Sequence, residues 1–208
     1  MSDANAASDA LWLQNATSPW RGALRSYPRI VAAQGVARLA ELDAWYRDEL
    51  PAAIAARRTP HVTLAELARL TEWKMARGVW RAPNLILVRG NDPDTVKRLS
   101  AEALAAAPHP TKPIATLASL AGVGPATASA VASAHAPGVY PFFDELVAAQ
   151  VPGLGAVKWT LGYYAKYADA LRERAVRLGG DWTPTMVERA VWASVGGKRG
   201  EAALAEAR

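Results

Sequence analysis

Between Leu161 and Leu178 an apolar side chain returns every three or four positions: Leu161, Tyr164, Ala168, Leu171, Ala175 and Leu178. That interval lays them along one stripe of a 3.6-residue helix and fits no pleated strand, whose faces alternate at every residue. Runs of Val, Ile and Thr at period two are missing from the chain. Much of its 51% hydrophobic content is Ala, a strong helix former. The sequence therefore predicts an all-α fold. Its 208 residues suit one large domain or two small ones, and a 21% charged fraction argues against disorder.

Helix borders are written in cap residues. Thr63 followed by Glu66 is a capping box that opens a helix ending at Gly78. Asp92 and Pro93 are an N-cap and a first-turn proline, and Thr183-Pro184 repeats the device for a last helix. A helix is expected over about 34–50, with Val36, Leu39, Leu42 or Ala40, and Tyr46 inward and Pro51 at its break. Residues 82–90 read as a short apolar helix or strand. Residues 1–20 read as a flexible arm with Trp12 and Trp20 as candidate anchors, and 197–208 as a flexible tail, which leaves 21–196 as a single helical domain.

There are no cysteines, so disulfides and Cys-ligated zinc or iron–sulfur sites are excluded. His61, His109 and His135 are scattered without ligand spacing, and no metal or cofactor is expected. No run reaches transmembrane length. The expectation is a cytoplasmic monomer, and a formal charge of +5 permits a nucleic-acid partner.

Two glycines, Gly122 and Gly124, interrupt an otherwise helical stretch. A short helix from about 114 would close at Gly122, and another would open at Pro125. Backbone N–H groups at such a turn can hold a phosphate oxygen without a charged side chain. The alternative is a plain αα-corner whose glycines only permit close packing. Leu120 to Ala128, L-A-G-V-G-P-A-T-A, resembles the helix-hairpin-helix motif, with Ala121 where a Pro is usual. The stretch is similar to that of the DNA glycosylase superfamily, which includes endonuclease III, the adenine glycosylase and the alkylpurine glycosylases. The likeness covers about residues 114–150, with the motif over about 114–135, and fades upstream. It implies a helical glycosylase fold, a DNA partner held at Gly122, Val123, Gly124 and Thr127, and a catalytic Asp at the position of Asp144. It also implies that a strand-cutting Lys inside the motif is absent, because that position is Ala126.

Asp144 has a second reading, compatible with the first. After "PFF" it is a natural N-cap for a helix beginning at Glu145. As a catalytic group, its charge would oppose an oxocarbenium-like transition state. Lys74 falls inside the apolar stripe of the 64–78 helix, where burial would lower its pKa and free it as a nucleophile. The simpler expectation is a last-turn cation that favours the helix dipole and snorkels outward. Trp73, Trp80, Tyr140, Phe142 and Phe143 are candidates to line a cleft and stack on an extruded base, with Lys74, Tyr140 and Phe143 as pocket residues. Trp159, Tyr163, Tyr164 and Tyr167 read as core. Arg77, Arg81, Arg89, Lys97 and Arg98 form a basic succession that either tracks phosphates or is a solvated face.

Three functions follow as rivals. The first is a monofunctional glycosylase that hydrolyses an N-glycosidic bond with Asp144. The second is a noncatalytic helix-hairpin-helix module that binds DNA or a repair partner. The third is an interaction or small-molecule-binding protein that keeps only the corner. A pocket around Asp144 favours the first, an Asp144 turned into solvent the second, and a turn buried against another helix the third.

Overall fold

The computed structural model describes residues 10–207, and no strand occurs among them. The helices are α1 (Thr17–Ala32), α2 (Leu39–Ala44, Trp45–Glu49 and Leu50–Ala55), α3 (Leu64–Arg77), α4 (Ala82–Arg89), α5 (Pro93–Ala105) and α6 (Lys112–Leu117). They continue as α7 (Pro125–His135), α8 (Glu145–Ala148), α9 (Leu161–Leu178), α10 (Pro184–Ser194) and α11 (Glu201–Glu206). Short 3₁₀ turns cover Leu11–Leu13 and Gly197–Arg199. None of these helices is long and apolar enough to cross a membrane.

Helix α7 organises the fold. Its sequence, PATASAVASAH, is made largely of small residues, Ala above all, without Asp, Glu, Lys or Arg, and every residue from Ala126 to Ala134 is buried. A helix without such charged residues has no solvent face to keep, and small side chains let neighbours approach closely. Accordingly α2, α3, α5 and α6 all pack on α7. Its two serines serve this role. Ser129 Oγ accepts the Phe143 N–H at 2.9 Å, and Ser133 Oγ lies 3.1 Å from Thr185 Oγ1 on α10. Helices α1, α9 and α10 form a second group, in which α10 packs on both others.

The cap signals place their helices as expected. Thr63 and Glu66 form both bonds of the capping box, Asp92 caps α5, and Thr183 caps α10. Elsewhere the expectations need correction. Helix α1, with Pro28 inside it, has no counterpart in the sequence reading. The helix expected over 34–50 begins at Leu39, leaves Val36 exposed, and runs past Pro51. Trp45–Glu49 is a π segment, in which the Leu50 N–H reaches back five residues to the Trp45 carbonyl. This wide segment ends two residues before Pro51, which has no N–H to donate, and the chain continues as helix through it. The expected arm is packed from residue 10 onward: Trp20 is wholly buried, and Trp12 meets it edge to face. Residues 1–9 of that arm lie outside the described residues. The expected tail is helical at 201–206, with Ala203 buried and Arg199 paired to Glu206.

Candidate functional site

The segment before α8 is pinned almost residue by residue. The Arg172 guanidinium donates to the Val139 carbonyl at 2.7 Å, and Thr185 donates to the Tyr140 carbonyl at 3.1 Å. Tyr164 and Tyr167 on α9 donate to the Pro141 and Phe142 carbonyls, at 3.4 and 2.7 Å. Ser129 holds the Phe143 N–H. The tyrosines expected in the core therefore do a second task, because a loop with satisfied carbonyls can sit inside the fold.

Asp144 ends this segment. Its Oδ1 accepts the Leu146 and Val147 N–H groups at 2.8 and 3.4 Å, so it is the N-cap of α8. It is 8% exposed, and its side chain also lines a cavity of about 320 Å³. Such a volume lies at the lower end of the roughly 300–1,000 Å³ typical of small-ligand pockets. Phe142, Phe143 and Trp159 supply aromatic wall, and the α7 N-terminus from Gly124 to Thr127 borders it. Lys74, Arg77, Arg81 and Lys198 bring positive charge to a space that holds two carboxylates, Asp144 and Glu145.

Behind Asp144 stands Arg77. Its Nε lies 3.4 Å from Asp144 Oδ2, and its other end pairs with Glu188. The guanidinium sits 4.5 Å from the Trp192 ring centre and 5.2 Å from that of Phe142. Burial works against its charge, but Glu188, Tyr27 and Asp144 outweigh that and hold its pKa above the ordinary value. Burial pushes the Glu188 carboxyl up, with Arg77 and Arg47 opposing. Arg77 thus gives Asp144 a fixed cationic neighbour inside the protein.

The two glycines of the α6–α7 turn differ. Gly122 has φ +74°, and a Cβ there would fall 2.6 Å from the Asn84 carbonyl oxygen and 2.9 Å from the Val88 nitrogen of α4. Asn91 clamps the same side of the turn: its amide donates to the Ala121 carbonyl and accepts the Ala121 N–H, each at 2.9 Å. Val123 is buried. Gly124 is exposed, with nothing within 4 Å of an added Cβ. Thr127 is buried at the cavity edge. Of the four residues expected to meet DNA, Gly124 is exposed, Gly122 half-buried, and Val123 and Thr127 buried. Gly122 and Val123 serve packing, and Thr127 faces the cavity.

Among the expected pocket residues, Lys74 and Phe143 line the cavity and Tyr140 does not. Tyr140 is wholly buried and its hydroxyl donates to the His109 carbonyl at 2.9 Å, because it anchors the loop from behind. Trp73 is buried, stacked 3.7 Å from Tyr46, while Trp80 is exposed. Lys74 is half-buried. Burial, and then Arg81, lower its pKa. Trp159, expected in the core, lies in the loop before α9 against Phe143 and is 46% exposed. The basic succession does not act as one face: Arg77 is internal, Arg89 pairs with Glu72 at 2.6 Å, and Arg81 lines the cavity.

Sequence reasoning placed Arg77 in a basic succession rather than in the interior, and missed Glu188 and Lys198. A signal existed for the first two. Arg77 follows Leu70 by seven and Trp73 by four, on the buried face of α3, and Glu188 falls between Pro184 and Trp192 at the same spacing on α10. Lys198, whose Nζ donates to the Gly78 carbonyl at 2.9 Å, comes from the stretch read as a tail and had none. No group of His, Cys, Asp or Glu among the described residues has the arrangement of a metal site. Comparison with protein-family models, curated proteins and solved structures finds no match.

Proposed function

We propose that this chain binds DNA beside the Gly124 end of the α6–α7 turn and hydrolyses an N-glycosidic bond with Asp144, as a base-excision glycosylase does. The observation that carries the reading is a carboxylate held by backbone N–H groups yet lining a ligand-sized cavity. A base turned out of the duplex would enter between the Phe142, Phe143 and Trp159 side chains, where flat aromatic faces suit it. As the base departs, positive charge grows on the sugar, and Asp144 opposes it in a space partly shielded from water. The same carboxylate can take a proton from the attacking water. Arg81 and Lys198 at the cavity, with the α7 N-terminus, supply attraction for the phosphate backbone.

The third reading, an interaction or small-molecule-binding protein that keeps only the corner, draws on the other half of the turn. Gly122 packs against α4, as in a corner built for close contact. The discriminating experiment offers the full chain duplex oligonucleotides carrying alkylated, oxidised or deaminated bases and assays both binding and base release. Release of one class of base is the expected result. Tight binding with no release on any of them favours the noncatalytic helix-hairpin-helix module, and no binding at all rejects both DNA readings.

A further inference from the structure

A second cavity, of about 730 Å³, opens at the C-terminal end of α7 and shares no described lining residue with the first. That volume falls in the range of small-ligand sites, roughly 300–1,000 Å³. Its walls come from α1, α2, α10 and the last turn of α7, and Val31, Ala44, Pro51 and Met186 give them apolar surface. The same space meets two arginines, Arg47 and Arg189, and two carboxylates, Asp43 and Asp48. His135 also lines it, and burial lowers the His135 pKa, so that imidazole is neutral at pH 7.

The charges are unequally matched. Asp43 Oδ1 accepts the Tyr27 hydroxyl and the Trp73 indole N–H, at 2.7 and 2.8 Å. Arg47 donates to the Tyr27 oxygen at 3.0 Å and stands 3.7 Å from both Asp43 and Glu188. Asp48 is exposed. Arg189, on α10, forms no ion pair with any described carboxylate, and its buried Nε has no hydrogen-bond partner among the described residues. Its guanidinium lies instead against the Tyr27 ring, 4.6 Å from the ring centre. Burial, and then Arg47, lower the Arg189 pKa, whereas the paired Arg47 and Arg77 are held above the ordinary value. A guanidinium keeps its proton at neutral pH, so the cost of burying this charge stands until an anion answers it.

We propose that this cavity binds a small monocarboxylate with an apolar body, its carboxylate on Arg189. The planar fork of a guanidinium matches the two oxygens of a carboxylate. One uncommitted positive charge suits one negative charge. A phosphate monoester, at about −1.5 to −2 near pH 7, would bring excess charge to a space that already holds Asp43 and Asp48. The hydrocarbon part would leave water for the Val31, Ala44 and Met186 side chains. The site is independent of the DNA reading, because it lies at the far end of α7 from Asp144 and uses none of that cavity's residues.

The test titrates the full chain by calorimetry with octanoate, beside 1-octanol, octylammonium and inorganic phosphate. Saturable octanoate binding is expected, on the order of tenfold tighter than 1-octanol, with octylammonium and phosphate weaker still. Arg189→Met keeps the apolar stem and removes the fork. It should lower octanoate affinity on the order of tenfold, leave 1-octanol unaffected and not lower the melting temperature, since no ion pair is broken. Ala44→Trp, at an exposed position on the α2 side of the cavity, should block both octanoate and 1-octanol with Arg189 intact. No saturable octanoate binding by the wild type, or equal affinity for octanoate and 1-octanol, overturns the proposal. So does octanoate affinity that survives in folded Arg189→Met or in Ala44→Trp. Tighter binding of phosphate or octylammonium than of octanoate overturns the assignment of a carboxylate. Should Arg189→Met fail to fold, the wild-type preference and Ala44→Trp still decide.

Discussion

The cavity has two unlike sides. Its back wall, formed by Arg77, Phe142, Phe143 and Asp144, is buried and closely tied by hydrogen bonds and ion pairs. Its rim, made of Gly124, Arg81, Lys74 and Trp159, is half-buried or exposed. The turn between α6 and α7 repeats the division within three residues, with Gly122 seated on α4 and Gly124 open. The contrast teaches that positioning and contact are handled by different residues. Changes in the wall should act first on stability, and changes at the rim should act on ligands while leaving the fold intact.

The largest effect is expected from Arg77→Met, which leaves the Glu188 carboxyl buried without its main partner and removes the cation beside Asp144. Breaking a buried pair from one side costs about 3–5 kcal/mol, measured by denaturant unfolding. A loss under about 1 kcal/mol would show that the wall is not held by this pair. Next comes Gly122→Ala. A Cβ at that left-handed position would press on the α4 backbone, and a cost on the order of 2 kcal/mol is expected. Gly124→Ala at the open end should melt like the wild type, so equal losses at the two glycines would erase the division.

A third variant sharpens it. Gly124→Asp adds an anion where phosphate would approach, so duplex affinity at low salt should fall on the order of tenfold with the melting temperature unchanged. Unchanged affinity in the folded variant would remove this end of the turn from the DNA interface. The smallest effect concerns Lys74 and pH. Its folded pKa lies below its unfolded value, so its stabilising contribution is complete above about pH 10.4 and is lost as pH falls through the folded value. Lys74→Met should therefore be slightly more stable than wild type near pH 7, and the gap should close as pH rises. A gap that widens with pH would reverse the sign of the burial effect.

Much of the fold was legible because its signals are local. Thr63 and Glu66, or Asp92 and Pro93, lie within one turn of each other, and each pair satisfies the helix end it announces. The α9 stripe was equally plain, as was the cap role of Asp144. Parts that depend on distant partners were not legible. Arg77 reads as one more surface base until Glu188, 111 residues away, is brought against it. Pro51 signals a break unless the π segment before it is known, and Lys198 reaches the cavity from a stretch of Gly and Lys with no pattern. Trp159 looked like core because its spacing to Tyr163 is helical, yet α9 begins at Leu161 and leaves it in the loop.

The central claim is that the Asp144 charge is catalytic and its cap separable from that role. Asp144→Asn isolates the two, since Asn also caps helices well. The measurement is single-turnover base release on whichever substrate the wild type cleaves, beside a melting curve and a binding titration. The account predicts a folded variant with a modestly lowered melting temperature, because Arg77 loses one carboxylate neighbour and keeps Glu188, and unchanged or tighter DNA binding. Base release should fall on the order of a hundredfold, because an amide cannot oppose a cationic sugar or accept a proton from water. Asp144→Ala should add a stability loss of about 1 kcal/mol from the missing cap. Base release at the wild-type rate by a well-folded Asn variant would contradict the account and leave Asp144 as a helix cap alone.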